Sequence, residues 1–451
     1  MKSRKWMAVL VVLIMVFSLG LAACQGQAPA ASTPPDTGAS SSDNATTDTT
    51  ATNPDADVVL TADQLVNHEL YKHLDDQALT GVTLPILNDR SSINKALPVT
   101  QKSNVVVGWT EPAMASAWFA GIQEGAQTYA QQYGYDLKFY AADNWDVTQQ
   151  TTDIENMITM GIDVLVLDAA DIQAQTVDIQ KCIDHGIPVI SVYPMPEDVP
   201  VITAVTANYY EVSFKAGEYA AQQFDGPIEA VFIPGQVGHP IADSRTCGFM
   251  GGWCYGKQEM NGTAKPYPQD AMLDGYNYFR QLVQNGQVNM PDYDLNVVGM
   301  ADGGFADQGG QDAAETLLTA HPNVSLIFPD NDHEGAGAIK VLEQRNLLDQ
   351  VKVITGCDGD TSMMELVRDG KLTATGYNNP IASANAIMTL IHMIFEEGYD
   401  ANNMPAITPL PYQLITADNY TDFYVPGTEW GKVLDVNFQT IDELNAAARS
   451  N

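Results

Sequence analysis

The run GIDVLVLDAAD, residues 161–171, decides the fold. Val164 to Leu167 are aliphatic without a polar alternation, so a strand made from them must be covered on both faces. Upstream, NVVVGW (104–109) and DLKFYAA (136–142) are two more short strand-like runs. Between them Phe119, Ile122, Ala126, Tyr129 and Tyr133 recur at offsets of three and four, which predicts a helix. Ile154, Met157 and Ile158 predict another before residue 161, and a further helix leads to GIPVISVY (186–193). The rhythm returns after Gly226 with IEAVFIP (228–234), LNVVGMA (295–301), VSLIFPDND (324–332) and VKVITGCD (351–358). Apolar strands alternating with amphipathic helices predict an α/β chain with parallel sheets. Two such blocks predict two doubly wound lobes, with a ligand at the carboxyl ends of the strands.

The chain has 451 residues, 45% of them hydrophobic, with 21 Lys+Arg against 56 Asp+Glu and a formal charge of −35. The length is enough for two or three domains. So acidic a surface repels phosphate backbones and anionic lipid, which excludes nucleic acid as a partner. It also disfavours an anionic ligand unless a local basic pocket overrides the field.

Lys2, Arg4 and Lys5 precede an apolar run from Trp6 to Ala23, and Leu21-Ala22-Ala23-Cys24 closes it. This has the plan of a secretory signal. About 17 apolar residues are short for a membrane span. The closing motif resembles the lipobox of bacterial lipoproteins, which implies a signal peptide at 1–23 and lipidation of Cys24. Cleavage there removes three basic residues and no acidic one, which would leave the mature chain at −38. Residues 24–57, rich in Ala, Ser, Thr, Pro and Asp, read as a disordered tether. Residues 58–102 form an N-terminal extension of unassigned role, whose LTADQLVNHELYKHL (60–74) has helical spacing after a candidate cap at Thr61. In an oxidising compartment Cys247 and Cys254, close together and flanked by glycine, are expected to bond. Cys182 and Cys357 read as buried thiols.

GIDVLVLDAAD (161–171), HGIPVIS (185–191), FPDNDHEGAGAIKVLEQ (328–344), VITGCDGDTSMMELVRDGKLTATGYNNP (353–380) and PLPYQLITADNY (409–420) together resemble the type I periplasmic sugar-binding proteins, the ribose- and galactose-binding group. The resemblance runs in order from about Asn104 to Tyr420. It implies lobes joined by a three-crossover hinge that close over a ligand. Lobe one would comprise 104–226 with about 378–408, and lobe two 227–377 with about 409–440.

Sugars are held by aromatic faces against C–H groups and by amides and carboxylates on the hydroxyls. In WTEPAMASAWF (109–119) the resemblance makes Trp118 and Phe119 the aromatic pair, with Ser116 where Asn is usual. Phe119 also continues its helix's core stripe, and Trp109 and Glu111 lie at the strand end. Asn331, Asp358 and Asn208 fall on family ligand positions, although each also suits a cap or turn, and Asn378 matches a hinge-proximal amide, with Tyr377 and Asn379 as alternatives. Two positions depart from the pattern. Tyr193-Pro194 replaces an Asp-Arg pair, and Cys357 replaces a stacking aromatic. Arg245, in SRTCGF (244–249), fits a family arginine if 247–270 is an insertion after the site; LDGYNYFRQLV (273–283) competes for the same helix. The scarcity of arginine favours Arg245 entering the cleft.

GGWCYGKQ (251–258) lacks the Ser/Thr and the strand–helix context of a phosphate-binding loop. DNDHEG (330–335) lacks a calcium loop's twelfth-position Glu, with Val341 in its place. No metal, cofactor or catalytic residue is expected. The expected function is a monomeric, extracytoplasmic, lipid-anchored solute-binding protein that takes a neutral sugar or polyol to the membrane permease of an ABC importer. The alternatives are a ligand-presenting sensor, a nucleoside or signal-furanose binder and, remotely, a secreted glycosidase.

Overall fold

The computed structural model describes residues 67–82, 94–114, 116–193 and 198–443. The signal peptide, Cys24, the tether and Pro194 lie outside the described residues. In chain order the elements are β1 (Val106–Glu111), α1 (Ala117–Tyr133), β2 (Asp136–Ala141), α2 (Val147–Met160), β3 (Val164–Leu167), α3 (Thr176–Asp184), β4 (Val189–Ser191), β5 (Ala204–Thr206) and α4 (Tyr209–Ala221). Then come β6 (Ile228–Ile233), α5 (Pro240–Met260), α6 (Gln269–Asn285), β7 (Val288–Met290), β8 (Leu295–Met300), α7 (Asp307–Ala320), β9 (Leu326–Pro329) and α8 (Asp332–Arg345). The last are β10 (Lys352–Val353), α9 (Thr361–Arg368), β11 (Ala374–Gly376), α10 (Pro380–Phe395), β12 (Ile407–Pro409) and β13 (Leu414–Thr416).

Six strands form a parallel sheet in the order β12-β5-β4-β3-β1-β2. Five form a second, β10-β9-β6-β8-β7, parallel except for the β7–β8 pair. The continuous apolar run in β3 has its expected cause. Val164 and Val166 pack with Ile122, Ala126 and Ile387 on one face, while Leu165 and Leu167 pack with Ile154, Met157 and Ile179 on the other. In the second sheet Phe232 and Phe328 face Phe249 of α5, and Val231 and Ile327 face Leu317 and Ile339 of α7 and α8.

Several expectations change. The family resemblance places residues 104–226 in lobe one, yet Phe214, Ala216 and Ala220 of α4 join the core beneath the second sheet. The chain therefore crosses before α4, not after Gly226, because its apolar face is spent on α5. Further crossings lie between β11 and α10 and between β12 and β13. At the tail, Val436 and Phe438 return to the first lobe's core.

Cys247 and Cys254 are free and buried, so the expected disulfide is absent. Both lie on α5, where seven residues rise about 10 Å, beyond the ~7 Å limit on Cα separation for a bridge. The glycine-rich string around them is helix rather than loop. A Cβ at Gly252 would sit 1.8 Å from the Phe214 carbonyl oxygen, and one at Gly217 of α4 would sit 2.0 Å from that of Phe249. These glycines let the backbones of α4 and α5 touch. In the extension, Glu69–His73 is a 3₁₀ turn rather than the end of an α-helix; residues 60–66 lie outside the described residues.

Candidate functional site

A cavity of about 430 Å³ opens between the lobes at the carboxyl ends of the strands. In each sheet the first strand of the lobe, β1 or β6, is flanked on both sides by later strands, which places the cavity at the topological switch points. Ser116, Trp118, Phe119, Tyr193, Arg245, Asn331, Asp358 and Asn378 all line it. Asn208 does not. It is 2% exposed, and its Oδ1 accepts from the Glu211 N–H at 3.1 Å, the N-cap of α4. Trp109 and Glu111 are also withdrawn, both fully buried, with Trp109 Nε1 donating to Glu111 Oε1 at 2.6 Å.

The cavity floor is charged and scarce in water contact. Arg245, 6% exposed at its side chain, reaches Asp330 Oδ1 at 3.4 Å and Asp358 Oδ1 at 3.9 Å, with its guanidinium 4.8 Å from the Tyr209 ring centre. Asp330 Oδ2 accepts from the Gly235 N–H at 3.0 Å. Burial raises the Asp330 carboxyl, and Arg245 opposes that shift. Asp358 holds a φ of 114°, a conformation that costs a residue with a Cβ and persists only under tight local support. That support is Asp332. It accepts from Thr355 Oγ1 at 2.5 Å and Thr375 Oγ1 at 2.7 Å, and from the backbone N–H groups of Gly359 at 2.7 Å and Asp360 at 3.2 Å.

Asn331 caps α8, its Oδ1 accepting from the Glu334 N–H at 3.0 Å, so its Nδ2 is the group left for a ligand. Asn378 Nδ2 reaches Asp358 Oδ1 at 3.5 Å, and Trp118 Nε1 donates to the Asn378 carbonyl at 3.3 Å. This last bond ties an aromatic of lobe one to the second crossover. Around this frame Arg245 Nε, Asn378 Oδ1 and the Tyr193 hydroxyl are buried without a partner. Orphaned polar atoms are costly, at roughly 1–3 kcal/mol each. All three belong to residues that line the cavity.

Sequence reasoning missed part of the wall. Trp145, Asp168 and Phe305 line the cavity just beyond β2, β3 and β8, and His239 caps α5 beyond β6. Their shared position past a strand's carboxyl end was the signal that would have found them. Rings run from one lobe to the other. Phe119 meets Trp145 at 6.1 Å, Trp145 meets His239 at 5.9 Å, and His239 meets Phe305 at 5.3 Å between centroids. Burial, with help from the Arg245 charge, pushes His239 down to about 4, so this ring is neutral near pH 7. Burial pushes Asp168 up to about 6, and Glu111 behind it rises well above the usual range for the same reason, with the Asp168 charge adding to it. Among the described residues no group of His, Cys, Asp and Glu is arranged to hold a metal ion.

The family model described as periplasmic binding protein domain matches residues 107–398. A ribose import binding protein of Bacillus subtilis is 22% identical over 279 residues, 62% of this chain and 78% of that protein. An ABC transporter solute-binding protein of Actinobacillus succinogenes, solved with bound D-allose, superposes with a TM-score of 0.56 at 18% identity, covering 71% of this chain and all of that one. One from Mycobacterium smegmatis, solved with glycerol, does so at 0.56 and 21%, covering 73% and all of it. With its two doubly wound lobes of the type I fold, the chain belongs to the periplasmic binding protein family.

Proposed function

We propose that the protein captures a neutral sugar or sugar-like polyol by closure of its lobes, and delivers it to an ABC importer. The supporting observation is the set of unpartnered polar atoms, Arg245 Nε, Asn378 Oδ1 and the Tyr193 hydroxyl, around a cavity walled by aromatic rings. A hydroxyl-rich ring with apolar C–H faces answers both features. Lobe closure would exclude water and seat the ligand between groups from both sheets. The relatives with sugars or polyols in their names agree with this reading. The site is proposed as one of binding without chemistry, and the protein as extracytoplasmic and monomeric, lipid-anchored through Cys24 and held from the membrane by residues 25–57.

Titration calorimetry against D-ribose, D-allose, L-arabinose, myo-inositol and glycerol tests the ligand class. Micromolar or tighter binding of one of them is expected, and heat from none would overturn the sugar assignment. A nucleoside is the second reading, favoured by the ring series from Phe119 to Phe305, which offers more aromatic surface than one sugar ring covers. Adenosine and uridine in the same titration separate the two. Radiolabelled uptake in cells with and without the protein tests delivery.

A further inference from the structure

Residues 67–82 precede the matched domain, yet they are built into the second lobe. Leu70 and Leu79 are 0% and 2% exposed, in the core under α5 and α6. Asp76 Oδ2 accepts from the Tyr276 hydroxyl at 2.8 Å and from Arg280 at 2.6 Å, while its Oδ1 caps the Ala78 N–H at 3.0 Å. His68 Nε2 meets Asp270 Oδ1 at 2.8 Å. Ser244 Oγ donates to the Thr80 carbonyl at 2.9 Å, which fastens the segment one residue from Arg245.

The 3₁₀ turn Gln77–Leu79 divides its side chains. Ala78 and Leu79 enter the core, whereas Gln77 lines the ligand cavity. Among the described residues its amide takes no hydrogen bond, so both its donor and its acceptor are available. Two residues past the turn, Gly81 adopts a φ of 97° directly over the first crossover. A Cβ there would stand 2.4 Å from Asn208 Oδ1. At Gly81 the segment thus touches the first crossover, where Asn208 sits outside the cavity. The cavity is without the Asn208 amide and has the Gln77 amide.

We propose that residues 67–82 complete the ligand site, with Gln77 as a ligand-contacting side chain that sets selectivity from outside the matched domain. The proposal rests on the reading of the cleft as a sugar site. It assigns a role to the extension: its buried leucines and the Asp76 anchors hold a polar probe at the cavity wall, on the lobe that also carries Arg245 and Asp358.

The test uses the whole mature chain, as wild type, Gln77→Ala and Asp76→Ala, titrated with D-ribose, D-allose, L-arabinose, myo-inositol and glycerol. Gln77→Ala is expected to weaken the best binder about tenfold, the loss of one hydrogen bond, and to change the order of preference among the five. Its thermal midpoint should match wild type, since Gln77 is exposed and touches no core. Asp76→Ala should lower the thermal midpoint by releasing the segment, and weaken the same ligand. Unchanged affinities and order in Gln77→Ala would overturn the proposal, as would an Asp76→Ala protein that is less stable yet binds normally. A wild type that binds none of the five overturns the sugar reading and this inference together, whereas a binding wild type with an indifferent Gln77→Ala overturns this inference alone.

Discussion

Arg245 and Asp330 form an ion pair at 3.4 Å with side chains 6% and 0% exposed, and Asp358 stands 3.9 Å from the same guanidinium. The pair sits at the cleft floor on elements of one lobe, α5 and the end of β9. The lobe closure proposed above would therefore leave the geometry of the pair unchanged.

Removing the cation strands two carboxylates. Arg245→Ala is expected to lower the free energy of unfolding by about 3–5 kcal/mol, the usual cost of leaving a buried charge unpaired. Sugar affinity should fall below detection. Urea denaturation and calorimetry read the two effects separately. An Arg245→Ala protein with wild-type stability would show that Asp330 is not charged in the fold.

Asp358 holds a strained φ of 114° to bring its carboxylate to the cavity. Asp358→Asn keeps the shape and removes the charge that Arg245 and Asn378 address. Affinity for the best-binding sugar is expected to drop ten- to a hundredfold, about 1–3 kcal/mol for a charged hydrogen bond. Equal affinity in calorimetry would place the ligand elsewhere along the cleft.

The Asp307–His333 pair, at 2.9 Å, gives stability a pH dependence of known sign. The hydrogen bond to Asp307 raises His333 to about 9, so its contribution is full below about pH 6.5 and fades as pH climbs through 9. The same bond holds Asp307 down to about 2, so its contribution is full above about pH 4 and is lost as pH falls through 2. His333→Gln should therefore flatten the decline in urea midpoint between pH 6.5 and 9. An unchanged slope would assign that decline to other groups.

Cys182, Cys247, Cys254 and Cys357 are free and buried. Burial pushes the Cys182 thiol up to about 12 and raises the other three. Maleimide should label none of them in the native protein and all of them in guanidinium, and reductant should leave the thermal midpoint unmoved. A mass two units below the all-thiol value would reveal a bridge.

Gly252→Ala forces a methyl group into the Phe214 carbonyl, 1.8 Å away and held by helix on both sides. Backbone cannot yield as a side-chain tip can. The expected loss is about 3 kcal/mol or more, read by urea denaturation, against near-neutral behaviour for Gly226→Ala in the loop before β6, where a Cβ meets open space. A Gly252→Ala protein within 1 kcal/mol of wild type would mean that α4 and α5 can separate.

Much of the architecture was legible because strand and helix periodicities are local. Val164 to Leu167 must be covered twice whatever covers them, and the parallel sheet follows. Asp358 and Asn331, which the family resemblance singled out, do line the cavity at strand ends. The role of Asn208 was not legible, since the residue suits a helix cap and a ligand contact alike, and only the fold places its amide on the Glu211 N–H outside the cavity. The Cys247–Cys254 pair misled because flanking glycines suggest a loop. Those glycines serve a helix crossing, which needs knowledge of α4 as the neighbour.

The sequence by itself determined the layered α/β plan and the two-lobe repeat, because they follow from short-range patterns of apolar residues. It also carried the formal charge of −35, a sum over side chains that no fold can alter. Only the tertiary structure decided that α4 belongs to the second lobe, that Arg245 lies between two buried carboxylates, and that Gln77 stands at the cavity wall. Each of these depends on contacts between residues distant along the chain, where packing and desolvation choose among placements that local patterns leave equivalent.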